Sequence, residues 1–159
     1  MDEQSQPVAK PRYVVIMPSR NEERFIRGTL ECLAAQTVPP AECVMVDDGS
    51  SDATAAIAEE LAARHRWLHV VRRADRGERK VGGGVVEAFY SGYEALRTND
   101  YDFLCKMDAD LTLGPRYFEA ILEKMQENPR LGGASGKVFN PVGDSFKEEA
   151  IIDQMVSGA

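Results

Sequence analysis

Two aspartates separated by one residue, Asp108-Ala109-Asp110, directly follow the apolar segment Phe103-Leu104-Cys105-Lys106-Met107. Carboxylates so placed at the end of a strand can divide their work between a hard divalent cation and a sugar hydroxyl. Mg2+ keeps several waters and takes one or two carboxylates together with substrate phosphates. A cation held there acts as a Lewis acid and neutralises charge building on a departing diphosphate. The bland alternative is a solvated turn, because the tripeptide arises often by chance. Its position after an apolar run favours the metal reading, with Mg2+ or Mn2+ as the ion.

A second acidic pair, Asp47-Asp48, follows Cys43-Val44-Met45-Val46 and precedes Gly49-Ser50-Ser51. A carboxylate here can accept a hydrogen bond from the ring imide of a pyrimidine base, whose donor is flanked by two carbonyls. The alternative makes both aspartates turn formers or weak helix caps. Glu22 and Glu23 follow the first apolar run, Tyr13-Val14-Val15-Ile16-Met17. Carboxylates gathered at one edge repel one another, and a cation or ligand donors would relieve that repulsion.

The segment Arg72, Arg73, Arg76, Arg79 and Lys80, set against Asp75 and Glu78, inverts the sign of a chain whose net charge is −7. Guanidinium and ammonium groups suit diphosphate oxygens. The following Gly82-Gly83-Gly84 lets backbone N–H groups approach an anion at a helix start. A solvated loop is the competing reading.

The elements that must position these groups alternate between strand and helix. Tyr13–Met17, Cys43–Val46, Leu68–Val71 and Tyr101–Met107 read as short buried strands. Leu131–Phe139 reads as a fifth strand, interrupted by glycines. Between them, Glu22–Gln36 carries Phe25, Ile26, Leu30 and Leu33 at helical spacing, with Asn21 as N-cap and Pro39-Pro40 beyond its end. Ser51 is expected to cap an alanine-rich helix to about Arg64. A third helix follows the glycine triplet through about Leu96. A fourth runs from Pro115 to about Glu127, and a short one is expected near Glu148–Met155. This alternation predicts an α/β fold, a mostly parallel central sheet with helices on both faces. Ligands of such sheets bind beyond the carboxyl ends of the strands. The acidic loops therefore gather at one rim.

Composition narrows the classes. The chain of 159 residues, 43% hydrophobic and 28% charged, is that of a globular domain able to bury roughly two-thirds of its unfolded surface. Net charge −7 argues against nucleic acid or an anionic membrane face as the main partner. No apolar run approaches the roughly 18 residues of a membrane span. Residues 1–12 read as a disordered lead-in without the hydrophobic core of a signal peptide. Cys32, Cys43 and Cys105, lacking metal-type spacing, read as buried free thiols, which fits a reducing cytoplasm. His65 and His69 stand near no partner motif.

Val14-Val15-Ile16-Met17-Pro18-Ser19-Arg20-Asn21-Glu22-Glu23 resembles the opening of family 2 glycosyltransferases, usually P-x-Y-N-E. Val46-Asp47-Asp48-Gly49-Ser50-Ser51-Asp52 resembles their second motif and Asp108-Ala109-Asp110 their D-x-D. The three occur in order over about residues 13–140 and are jointly specific. The resemblance implies a GT-A (Rossmann-like) fold and sugar transfer from a nucleotide-diphosphate donor with inversion at the anomeric carbon. It implies that Pro18, Ser19 and Glu22 line the nucleoside pocket, that Asp48 meets the base, Asp108 the ribose or sugar, and Asp110, with Asp108, the metal. Arg20 replaces the usual aromatic, and its guanidinium can stack on a base. Arg79-Lys80-Val81-Gly82-Gly83 stands where the family carries R-N-x-G, so Arg79, Lys80 and Gly83 are candidate donor contacts.

Inverting transfer also needs a general base for the acceptor hydroxyl. In the family it is a carboxylate well downstream of D-x-D, in an acceptor-binding half. Glu148, Glu149 and Asp153 are the late acidic candidates here, and they read better as a solvated helix face. The expectation is a nucleotide-sugar-binding domain over 13–140, with 141–159 the start of an acceptor-side segment or a tail, and the acceptor half lacking. The acceptor, saccharide or lipid-linked, is open; a lipid-linked one would bring the protein to the inner face of the membrane. Two other classes compete: a non-catalytic nucleotide-sugar-binding module, and a sugar-nucleotide nucleotidyltransferase. The latter would carry a glycine-rich loop after the first strand, where Pro18-Ser19-Arg20-Asn21 has none.

Overall fold

The computed structural model describes residues 11–74 and 83–148. The chain divides into two compact units, residues 1–119 and 120–159.

In the first unit four strands form one sheet: β1 (Tyr13–Ser19), β2 (Glu42–Asp47), β3 (Leu68–Arg72) and β4 (Phe103–Lys106). Their spatial order is β3-β2-β1-β4 and every pairing is parallel. β1 and β2 are the central strands, and their Val14, Val15, Ile16, Val44, Met45 and Val46 are fully buried. β-branched side chains suit a pleated surface covered on both faces, which explains the near-continuous apolar runs.

The helices α1 (Ile26–Ala34), α2 (Thr54–Ala62) and α3 (Gly83–Glu94) fill the connections, and α4 (Tyr117–Glu127) follows β4. α1 buries Ile26, Thr29, Leu30 and Leu33, a stripe at helical spacing. It packs against α2, and Arg27 on α1 pairs with Glu60 on α2 at 2.6 Å. α3 covers β1 and β2, with Ala88 in one cluster with Ile16, Val44 and Val46, flanked by Val71, Phe89 and Leu96. The approach is so close that a Cβ on Gly92 would stand 2.6 Å from Ile16 Cγ2 and 2.8 Å from Val46 Cγ2. At the start of α4, Phe118 stacks on Tyr13 at 4.3 Å, and its N–H donates to buried Gln36. Gln36 also donates to the Gly114 carbonyl at 2.8 Å, so the end of α1 fixes where α4 begins.

The second unit holds the rest of α4 and an antiparallel hairpin, β5 (Phe139–Val142) with β6 (Ser145–Glu148). Gly143, at φ 59°, supplies the positive φ that a two-residue hairpin turn needs.

Several local expectations are corrected. The strand expected over Leu131–Phe139 does not form; Gly132, Gly133 and Gly136 give it little to bury, and pairing begins only at Phe139. Asn21 is not an N-cap: α1 starts at Ile26, and Asn21 sits at φ 56° with its side chain turned to the next loop. Ser51 does not cap α2. Ala53 stands at the N-cap position without a side-chain bond, and the carboxylate of Asp52, one residue earlier, accepts from the Thr54 N–H at 2.9 Å. The helix expected near Glu148–Met155 lies outside the described residues except for Glu148, which belongs to β6.

Candidate active site

The sheet order contains a reversal. The chain passes from β1 to β2 to β3 in one direction, then returns to place β4 on the other side of β1. The carboxyl ends of β1 and β4 therefore flank the topological switch point, where open α/β sheets bind ligands. Ser19 ends β1, Asp47 ends β2, Arg73 follows β3, and Asp108 and Asp110 follow β4, so all five stand at the same edge.

The loops after β1 and β2 are locked into one piece. Ser19 accepts from the Asp48 N–H at 2.9 Å, and its own hydroxyl turns back to the Met17 carbonyl. Asn21 donates its N–H to Ser50 Oγ at 3.0 Å and accepts from the Ser51 N–H at 2.9 Å. Glu22 donates its N–H to Thr54 Oγ1, and Glu23 exchanges hydrogen bonds with Asp52 and Ala53. Polar residues thus satisfy loop amides that no strand or helix serves. The positive φ at Asn21 is held by these bonds on both sides.

The two adjacent aspartates have different fates. Asp47 is buried, and its Oδ1 accepts from the Ser50 N–H at 3.1 Å, a turn-forming role. Asp48 is held from both sides. Arg20 Nη1 donates to its main-chain carbonyl at 3.1 Å, and Arg73 Nη1 to its carboxylate Oδ1 at 2.7 Å. Pro18 is half-buried beside Val46 on β2.

Across β1 from Asp48, the Met107 N–H donates to the Ile16 carbonyl at 3.0 Å and carries the chain off β4 into the D-x-D loop. Ala109 is buried while Asp108 and Asp110 are exposed, so alternation throws both carboxylates outward. Asp108 pairs with Lys106. Among the described residues, no group of three or more histidine, cysteine or acidic side chains stands ready to hold a metal ion. That donor set still fits Mg2+ or Mn2+, because such ions complete their shell with waters and substrate phosphates.

The basic run divides. Arg72 turns to Glu59 on α2 and Arg73 to Asp48 and Glu87, so both pair with carboxylates of the chain itself. Gly83 opens α3 and is exposed; Arg76, Arg79, Lys80 and Gly82 lie outside the described residues. Thr29 and Glu87 were not singled out by the sequence motifs. A threonine within an apolar helical stripe was the signal available for the first.

All three cysteines are free; Cys43 is buried, Cys32 and Cys105 half-buried. No helix among the described residues is long and apolar enough to cross a membrane.

Comparison with known proteins bears on the family and the fold. The chain is 32% identical to the undecaprenyl-phosphate mannosyltransferase of Micrococcus luteus over 133 residues, covering 81% of this chain and 52% of that one. It is 30% identical to the polyprenol monophosphomannose synthase of Mycolicibacterium smegmatis, covering 83% of this chain and 47% of that one. Among solved structures it is similar to a mannosyltransferase from Pyrobaculum calidifontis in complex with GDP-Man and Mn2+. The TM-score is 0.63 at 25% identity, over 79% of this chain and 35% of that one. Staphylococcus aureus TarS shares the fold at a TM-score of 0.59 and 24% identity, over 73% of this chain and 20% of that one. The chain thus spans about half, or less, of the length of these relatives. The fold is of the GT-A type, a parallel sheet flanked by helices. The profile of glycosyl transferase family 2 matches residues 14–152, a stretch that includes every loop just described, and the chain belongs to that family.

Proposed function

We propose that this chain is the donor-binding part of an inverting, metal-dependent glycosyltransferase that uses a nucleotide-diphosphate sugar. The observation that carries the reading is the flanking of β1 by Asp48 on one side and the D-x-D loop on the other. Two strand spacings separate β2 from β4, about 10 Å. That is the scale of a nucleoside reaching from its base to its first phosphate. Asp48 accepts from the base, Pro18, Ser19 and Glu22 line the nucleoside pocket beside Arg20, and Asp108 meets the ribose or sugar. Arg79, Lys80 and Gly83 are the candidate contacts to the diphosphate.

Asp110, with Asp108, would hold Mg2+ or Mn2+, which when bound supplies positive charge to the departing diphosphate. The Pyrobaculum relative's complex with GDP-Man and Mn2+ supports that pairing of donor and ion. The chain's own contribution is orientation: a rigid double loop for the nucleoside, and exposed carboxylates presented from a buried alanine. No described residue is assigned as the general base. Similarity to an undecaprenyl-phosphate mannosyltransferase and a polyprenol monophosphomannose synthase favours a lipid-linked acceptor and a place at the inner face of the membrane, reached from the cytoplasm.

Calorimetric titration with UDP and GDP, with and without Mn2+, tests the reading. Metal-dependent binding of one of them is expected, and no binding of either overturns it. A non-catalytic module is separated by donor hydrolysis or transfer to undecaprenyl phosphate, since release of nucleoside diphosphate at catalytic rates belongs to an enzyme.

A further inference from the structure

We infer that Arg73 is a positioning residue for Asp48 and sets the base selectivity of the pocket. The inference rests on the proposed meeting of Asp48 with the base. Arg73 stands one residue beyond β3, where its N–H donates to the Asp47 carbonyl at 2.9 Å and fixes its backbone to the neighbouring strand. Its guanidinium then forks. Nη1 donates to Asp48 Oδ1 at 2.7 Å and Nη2 to Glu87 Oε2 on α3 at 3.2 Å. The Arg73 and Asp48 side chains are only 17% and 16% exposed, so the pair is well removed from water.

Arg72 shows that this is no generic surface contact. Side chains alternate along a strand. Arg72 points to Glu59 on α2, between side chains more than half or half exposed, whereas Arg73 points inward to the candidate pocket. Only one of the two adjacent arginines can reach Asp48.

The consequence is orientational. A carboxylate at a strand end can turn about two side-chain torsions. A guanidinium bonded to one oxygen restrains its plane through a charge-assisted bond. Glu87 in turn holds the second arm of the fork, so the plane of Asp48 is referred through Arg73 to helix α3. Such a fixed acceptor favours bases that offer a ring N–H, uracil and guanine. It disfavours cytosine and adenine, whose equivalent nitrogen is itself an acceptor and would face the carboxylate lone pair to lone pair. Sites built around a hydrogen bond reject analogues that leave buried polar groups unmatched. A carboxylate free to turn loses much of that rejection. A lysine at position 73 offers a point charge, which cannot hold Asp48 and Glu87 in the same fork.

The test is calorimetric titration of the whole chain with UDP, GDP, CDP and ADP, with thermal unfolding of the ligand-free proteins as the control for folding. The unaltered chain should prefer UDP or GDP. Arg73→Gln should weaken the preferred nucleotide about tenfold, the size expected for losing a charged hydrogen bond, and narrow its margin over CDP and ADP. Arg73→Lys and Glu87→Gln, milder changes, should narrow the margin partially and keep the proposal testable if Arg73→Gln does not fold. Arg73→Gln added to Asp48→Asn should weaken binding no further than Asp48→Asn alone, since both changes act through one carboxylate. Unchanged selectivity in folded Arg73→Gln, or in Arg73→Lys and Glu87→Gln where it does not fold, overturns the inference. If Asp48→Asn still abolishes the preference, the reading of the pocket survives that result. An unaltered chain that binds no nucleotide, or all four alike, overturns both.

Discussion

Thr29, on helix α1, donates its hydroxyl to the main-chain carbonyl of Ala109 at 2.7 Å, inside the protein. Ala109 is the residue between the two D-x-D aspartates. The bond therefore ties the loop after β4 to the helix that follows β1, and it sets the direction in which Asp108 and Asp110 project. Thr29→Val keeps the shape and removes the donor. It should cost roughly 1–2 kcal/mol of stability through the carbonyl left without this partner. The gain in nucleotide affinity on adding Mn2+ should shrink, because both aspartates serve the metal, while affinity in a chelator, which draws on Asp108 alone, should fall less. Thr29→Ser should restore the gain. Equal losses with and without metal would mean that Thr29 does no more than hold the fold.

Asp110 and Asp108 are expected to differ. Asp108 is paired with Lys106, whereas among the described residues no hydrogen bond or ion pair engages Asp110. Asp110→Asn should remove the Mn2+ dependence of nucleotide binding, by tenfold or more on the scale of a lost charged contact. Asp108→Asn should weaken metal-free binding as well, because its proposed partner is a ribose or sugar hydroxyl. Titrations of both variants with and without Mn2+ check the difference, and identical profiles would contradict the division of labour.

Gly92 carries a prediction about the fold alone. A methyl added there meets Ile16 and Val46, β-branched side chains wedged in the central strands rather than flexible tips. Alanine is the better helix former by about 1 kcal/mol. Overpacking of a filled core costs about 1–3 kcal/mol. The clash should win, and Gly92→Ala should lower the urea midpoint; a raised midpoint would show that α3 can lift off the sheet at little cost.

What the sequence disclosed follows from which forces act locally. Runs such as Tyr13–Met17 and Cys43–Val46 are buried on both faces, and their composition alone marks parallel strands. The motif loops were legible because topology carries them to one edge. Their internal wiring was not. Asn21 has the residue type of a helix cap, yet the adjacent loop competes for its side chain and wins, because Ser50 and Ser51 lie within reach only after β1 and β2 pair. Arg73 was indistinguishable from Arg72 in a basic run; strand alternation and the presence of Glu87 on a helix ten or more residues away separate them. The expected fifth strand failed where Gly132 and Gly133 leave an apolar pattern with little side chain to bury.

At the amino end of the sheet, remote from the site, Glu42 accepts from the Arg97 and Thr98 N–H groups at 3.0 and 2.9 Å and approaches His69 Nδ1 at 3.3 Å. Burial pushes the His69 pKa below 6.5, with the Arg97 charge adding to it, and Glu42 offsets only part of the shift. The unfolded chain therefore takes up the histidine proton before the folded one. In the window just below pH 6.5 the unfolded state binds more protons, so stability rises with pH there and falls as the solution is acidified. Urea midpoints measured between pH 7.5 and 5, above the usual carboxylate range, should decline through that window. His69→Gln, which cannot be protonated, should flatten the decline. Because Glu42 opens β2 while Asp48 follows its end, nucleotide affinity should not track the same titration. A His69→Gln variant with an unaltered pH slope would assign the acid sensitivity to another group.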